Sequence, residues 1–184
     1  MRRIAIVASA LFVALAAHPA SSAPPRVLEP LSFLLGTWDA PGPNQSSGRT
    51  VFALGLQDQV MIRNNSADYP AADGKPAVRH EDLMVIYPVG NVARADYYDS
   101  EGHAIRYVVI PAGQGRALFL SDLIEKEPRY RLTYVLQPDG TLAGSFEVAP
   151  PGQPDAFKSY LTWQAHKAAS APPTGSGSGT GSGR

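Results

Sequence analysis

The sequence contains no cysteine. That excludes a disulfide framework, thiol catalysis and any thiolate-ligated metal. Charge is sparse and balanced, with 16 Lys and Arg against 16 Asp and Glu. No basic run exists, so the chain lacks the electrostatic footprint of a nucleic-acid binder, and no such partner is expected. No window sustains a 3.6-residue apolar period beyond about two turns, which argues against a helical fold. There is no Gly-x-Ser-x-Gly elbow and no phosphate-cradling glycine loop between a strand and a helix.

One long apolar run is present, at the N-terminus. Met1-Arg2-Arg3 is a short positive head, Ile4 to Ala17 is almost wholly apolar, and small residues follow His18-Pro19. These are the three parts of a secretory signal, with cleavage expected before Ala23. A run of about 14 residues is short for a span of about 20, so no membrane span is expected to remain after cleavage. The expected location is the periplasm or the exterior. Loss of Arg2 and Arg3 leaves 14 basic groups against 16 acidic ones.

At the other end, residues 168–184 are rich in Gly, Ser, Ala, Pro and Thr. They cannot bury apolar area and read as a flexible tail. The expected organisation is a signal peptide over 1–22, one folded domain over 27–167 and a tail over 168–184. A domain of that size can bury a core without staples.

Within the domain, short apolar runs alternate with turn signals. Arg49 to Leu56 and Gln59 to Asn65 flank Gln57-Asp58. Asp82 to Tyr87 stops at Pro88. Val92 to Tyr98 and His103 to Ile110 flank Asp99-Ser100-Glu101-Gly102, where the glycine suits a left-handed turn position. Arg116 to Leu123, Arg129 to Leu136, Thr141 to Val148 and Phe157 to Ala165 follow, and Phe33 to Asp39 opens the series. Period-two alternation is clear where Tyr130, Leu132, Tyr134 and Leu136 oppose Arg129, Arg131 and Thr133. About ten short strands with short links predict an all-β, antiparallel up-and-down barrel of 8–10 strands, because closure removes exposed sheet edges. Leu28, Leu31 and Leu35 would share the face of one helical turn. The segment from Ser66 to Arg79 is long for a barrel link and reads as a surface excursion or a lid.

Leu31-Ser-Phe-Leu-Leu-Gly-Thr-Trp38 resembles the first-strand signature of lipocalin-like (calycin) barrels. The resemblance implies that Trp38 plugs one barrel end and that a basic residue near the last strand, His166 or Lys167, covers it. The same opening is similar to the nitrobindin-like haem barrels, which implies a proximal histidine near the C-terminus; His166 is the candidate, and haem the one cofactor implied. Asp99-Ser100-Glu101-Gly102 is similar to a hairpin of uncharacterised bacterial lipocalin-like domains.

Polar residues that bear chemistry gather around the middle of the chain. Arg63, Tyr69, His80, Asp82, Tyr97, His103, Arg106 and Tyr107 are the candidate ligand-binding residues. The functional expectation is a cavity in which a few fixed polar groups orient a small hydrophobic molecule. An alternative is a lyase or isomerase with His80 or His103 as general base beside a carboxylate. Buried ion pairing, such as Asp82 with Arg106, would account for the same residues without a ligand. No histidines pair at helical metal-site spacing, and a three-ligand zinc would need His80, Glu81 or Asp82 and His103 to converge; no metal site is expected.

Overall fold

The computed structural model describes residues 26–43, 46–72 and 74–169. The expected signal peptide lies outside them, as does the expected tail beyond Ala169. A short 3-10 helix, Glu29–Leu34, comes first. Ten strands follow: β1 (Gly36–Pro41), β2 (Ser47–Gly55), β3 (Val60–Tyr69), β4 (Val78–Val89), β5 (Val92–Asp99), β6 (Ala104–Pro111), β7 (Arg116–Ser121), β8 (Arg129–Leu136), β9 (Leu142–Ala149) and β10 (Lys158–Lys167). Each pairs antiparallel with the next, and β10 returns to β1 through Trp38 opposite Lys167, so the sheet closes. The result is the all-β up-and-down barrel that the alternation predicts, with ten strands, and it is compatible with a lipocalin-like fold.

Connectivity gives the barrel two unlike ends. The 3-10 helix and the turns at 56–59, 90–91, 112–115 and 137–141 lie at one end. That end is plugged. Leu28, Leu31 and Leu34 are at most 2% exposed. Three residues per turn aligns 28, 31 and 34, where the α-period expected Leu35 as the third. Trp38 donates its indole N–H to Leu34 O at 2.7 Å. The connections at 100–103, 122–128 and 150–157, with the described parts of the β1–β2 and β3–β4 links, ring the other end, the mouth.

The barrel's middle is filled by its own side chains. Phe52, Tyr134 and Phe119 meet edge to face at 5.5 and 5.9 Å between centroids, and Tyr107 meets Phe119 at 6.2 Å. Such contacts add to what each ring gains by leaving water. The outer wall carries ion pairs instead, among them Arg49 with Asp39 and Arg131 with Glu147, both 2.6 Å.

Two local expectations are corrected. The fourth strand does not stop at Pro88. β3 pairs β4 only as far as Met61 opposite Ile86, while β5 follows β4 on to Val89. Pro88 therefore sits where β4 has one neighbour, and its missing N–H breaks no ladder to β3. The long excursion over 66–79 is shortened at both ends by strand: Ser66 to Tyr69 extend β3 and pair with Val78 to Glu81 of β4. Arg79 clips Asp68 across that hairpin at 2.9 Å. The polar residues there are weak strand formers, but neighbouring strands impose the conformation. What remains is a hairpin tip at 70–77.

Candidate functional site

The interior row nearest the mouth is polar. Alternation along β4 turns His80, Asp82, Met84 and Ile86 inward, and Asp82, Met84 and Ile86 are buried. Asp82 is opposite Asn65 of β3 on one side and Asp99 of β5 on the other. Its carboxylate accepts from Arg63 Nη1 at 2.6 Å and from Asn65 Nδ2 at 2.8 Å. Asn65 in turn accepts from Thr50 Oγ1 at 2.6 Å. The side chains of Arg63 and Asp82 are 7% and 3% exposed. A charge that deep persists only when paired and hydrogen-bonded, and this one is both. Asp82 is thus in a buried ion pair, the alternative to a ligand role, but its partner is Arg63 and not Arg106.

His80 sits above this pair. Its Nε2 lies 3.2 Å from Asp82 Oδ2, and its Nδ1 lies 2.8 Å from Glu101 Oε2 in the β5–β6 turn. Partial burial pulls its pKa down, but the two carboxylates outweigh that and hold it above the ordinary histidine value. Asp99 forms the second half of the group. Its Oδ1 accepts the backbone N–H groups of Glu101 and His103, and its Oδ2 accepts the Tyr97 hydroxyl at 3.1 Å and faces His103 Nδ1 at 2.8 Å. Burial opposes ionisation of Asp99, yet these donors hold its pKa below the usual carboxylate range.

Three tyrosines surround Arg63. Burial pushes the Tyr97 phenol far up, helped by the Asp82 charge, and pushes Tyr107 up against the pull of Arg63. Burial takes Tyr134 to about 12, again against Arg63. All three remain protonated at neutral pH, so they serve as donors and not as bases. Arg63 is close enough to Tyr134 to pull on its pKa, yet Arg63 Nε and Tyr134 Oη are buried without a well-formed hydrogen bond among the described residues.

Across the ring, five strands from β4, stands β9. There the mouth is aromatic. Tyr130 stacks on Phe146 at 5.8 Å, and Tyr160 meets Phe146 edge to face at 6.0 Å. A β-bulge between Ser159 and Leu161 leaves Tyr160 without a ladder partner on β9 and re-aims it. Simple alternation groups Tyr160 with Thr162 and Gln164, and so misses it.

The structure brings together five of the eight candidates: Arg63, His80, Asp82, Tyr97 and Tyr107. His103 joins them from the turn, mostly exposed, through Asp99. Tyr69 lies exposed at the far end of β3. Arg106 points outward, 76% exposed, 3.8 Å from Asp96. Asp99 and Glu101 escape the sequence reading because their segment reads as a turn; the alternation Asp99-x-Glu101-x-His103 was the available signal. His166, one step from inward-facing Ala165, is exposed, and it is Lys167 that covers Trp38, 5.0 Å above the indole. Two concavities open on the outer surface, and the first is lined in part by Asn65, Asp82 and Asp99 of this group. A groove of about 540 Å³ follows the outward row Val51, Asn64, Leu83 and Tyr98, and one of about 490 Å³ borders the 3-10 helix and residues 111–115. Neither is lined by histidine.

No protein-family model matches the chain, and no curated protein matches it either.

Proposed function

We propose that this protein is an exported, lipocalin-like barrel that binds a small, largely apolar molecule at its mouth. The packed aromatic middle moves the binding volume from the barrel's centre to the ring above Arg63 and Asp82. The observation that carries the reading is the two-sided mouth. Tyr130 and Phe146 offer a stacked aromatic wall on one side, with Tyr160 edge-on against Phe146. His80, Tyr97 and Asp99 offer fixed polar groups on the other, held by the Arg63–Asp82 pair beneath. Apolar walls with a few convergent polar groups are the usual make-up of a small-molecule site. The N-terminal charge and hydropathy pattern supports export. Residues Gly36-Thr37-Trp38 capped by Lys167 support the lipocalin-like kinship.

Native mass spectrometry of untagged protein purified from its own host tests the reading. A retained small molecule that is lost on Phe146→Ala and on Tyr97→Phe is the expected result. A bare protein mass, with no apolar metabolite from a host extract retained, removes it.

One observation favours a second reading, acid–base catalysis on such a molecule by a lyase- or isomerase-type mechanism. Asp82 orients the His80 ring through Nε2, as a carboxylate does for a general base, and a substrate proton would reach Nδ1 by displacing Glu101. Turnover of a retained molecule by the wild type, abolished in the His80→Ala, His103→Ala double variant, supports that reading. Unchanged turnover in the variant removes it.

A further inference from the structure

The mouth also holds a donor set for a metal, which shares His80 and Asp99 with the ligand reading. One ligand atom from each of Asp99, Glu101 and His103 lies within 4.8 Å of the other two. His80 Nδ1 lies 2.8 Å from Glu101 Oε2, so a second imidazole borders the group at one of its members. Two imidazoles with two carboxylates suit zinc and its first-row neighbours, whereas calcium and magnesium take oxygen ligands.

Three features separate this group from an ordinary acidic turn. The first is orientation. His80 turns Nε2 toward Asp82, which is clamped from below by Arg63 and Asn65, and this leaves Nδ1 facing the turn. Metal-bound imidazoles are usually fixed in this way, by a carboxylate on the other ring nitrogen. The clamp belongs to β3 and β4, not to the turn.

The second is the shape of the turn. The Asp99 side chain is 5% exposed and accepts the N–H groups of Glu101 and His103, so the backbone wraps around it. Gly102, at φ +90°, makes the wrap possible, and the alternate residues Asp99, Glu101 and His103 fall on one side.

The third is charge. Asp82, Asp99 and Glu101 bring three carboxylates to this group, and Arg63, paired with Asp82, brings one guanidinium. With both imidazoles neutral, the group has a surplus of two negative charges, which a divalent cation neutralises. Glu101 and His103 are 45% and 65% exposed in their side chains, which leaves an entry path and room for water or substrate on the ion.

We propose that His80, Asp99, Glu101 and His103 form a binding site for one divalent first-row transition metal at the barrel mouth, with Asp82 as the positioning residue behind His80. Ligands about 2.0–2.2 Å from a tetrahedral ion stand roughly 3.4 Å apart. On binding, the 2.8 Å contacts of His80 with Glu101 and of His103 with Asp99 would open slightly, while the wider separations within the group, up to 4.8 Å, would close and His80 would shift toward Asp99 and His103. The site occupies the proposed ligand-binding mouth but requires no organic ligand.

The test uses untagged protein, stripped with chelator and titrated with zinc sulfate by calorimetry, then with cobalt chloride followed by its visible d–d bands. One zinc per chain is expected, with a raised thermal midpoint. His103→Ala and Glu101→Gln should each weaken binding at least tenfold and remove the cobalt bands. His166→Ala, outside the site, should bind as the wild type does. Should His80→Ala fail to fold, His103→Ala still decides, since its side chain is exposed. No heat and no cobalt bands in the wild type overturn the proposal, as does stoichiometric binding that His103→Ala leaves unchanged. A bare organic-ligand result in native mass spectrometry leaves this outcome untouched, so the two readings fail separately.

Discussion

Arg63 and Asp82 form a buried ion pair, 2.6 Å from Nη1 to Oδ1, at the boundary between the barrel's apolar middle and its polar mouth. Removing one partner strands the other charge in a site where water cannot solvate it. Asp82→Asn and Arg63→Met should each cost about 3–5 kcal/mol of stability. The double variant Arg63→Met, Asp82→Leu leaves no unpaired charge and should recover much of that loss. Urea unfolding of the three variants checks this. Single variants within about 0.5 kcal/mol of the wild type would contradict the pairing.

His80 gives the metal-free protein a pH dependence of known sign. Burial alone would lower its pKa, but Glu101 and Asp82 raise it above the unfolded value near 6.5. A raised folded value means that the imidazolium favours the folded state. Its contribution is complete below about pH 6.5 and disappears as pH rises through the higher folded value. Two-dimensional NMR of the imidazole in chelator-treated protein should give a midpoint above that of a model histidine. Glu101→Gln should bring it down. A midpoint at or below the model value would show that the carboxylates do not govern it.

Much of the barrel was legible in the sequence because its signals are local. Tyr130, Leu132, Tyr134 and Leu136 alternate with arginines, and Pro138-Asp139-Gly140 ends the strand with Gly140 at φ +84°. Asp99-Ser-Glu-Gly102 marked the turn for the same reason. Other features depend on neighbours. Asn64-Asn65-Ser66 has little strand propensity of its own and is held by β2 and β4 on either side. Tyr160 reaches Phe146 only because a bulge shifts the register, which no period-two pattern announces. In the site, Asp82 and Arg63 are 19 residues apart, and which of several basic groups meets Asp82 is a matter of barrel register. Arg106 and Arg63 look alike in the sequence, and the pleat sends one out and the other in.

Gly144 is required by Trp163. A Cβ at this position would overlap Trp163 Cε2, and β9 leaves the indole lying across bare backbone. The ring is also wedged against Tyr134 at 5.9 Å, so it has little room to retreat. Gly144→Ala should destabilise the barrel by about 1–3 kcal/mol, the usual cost of overpacking. Tryptophan emission should shift as the indole is displaced. Unaltered emission and an unchanged urea midpoint would contradict the contact.

The plugged end makes a prediction that separates two costs. Gly36 lies at φ +115°, where a side chain is strained whatever the space. A Cβ there would also stand 2.8 Å from Lys167 Cε. That lysine reaches over the same glycine to donate to Leu35 O at 3.0 Å and to place its ammonium above Trp38. Gly36→Ala should therefore lower stability by two additive routes, backbone strain of about 1–3 kcal/mol and a clash with the lysine stem. Lys167→Ala removes the clash along with the cation over the indole, which is worth about 0.5–1 kcal/mol at a partly exposed site. In a double-mutant cycle the pair should lose less than the sum of the single losses, because the clash exists only when both side chains are present. The loss of the double variant less that of Lys167→Ala measures the backbone strain alone. Strict additivity would mean that Lys167 does not lie over Gly36 in solution, and the cover on Trp38 would have to come from elsewhere.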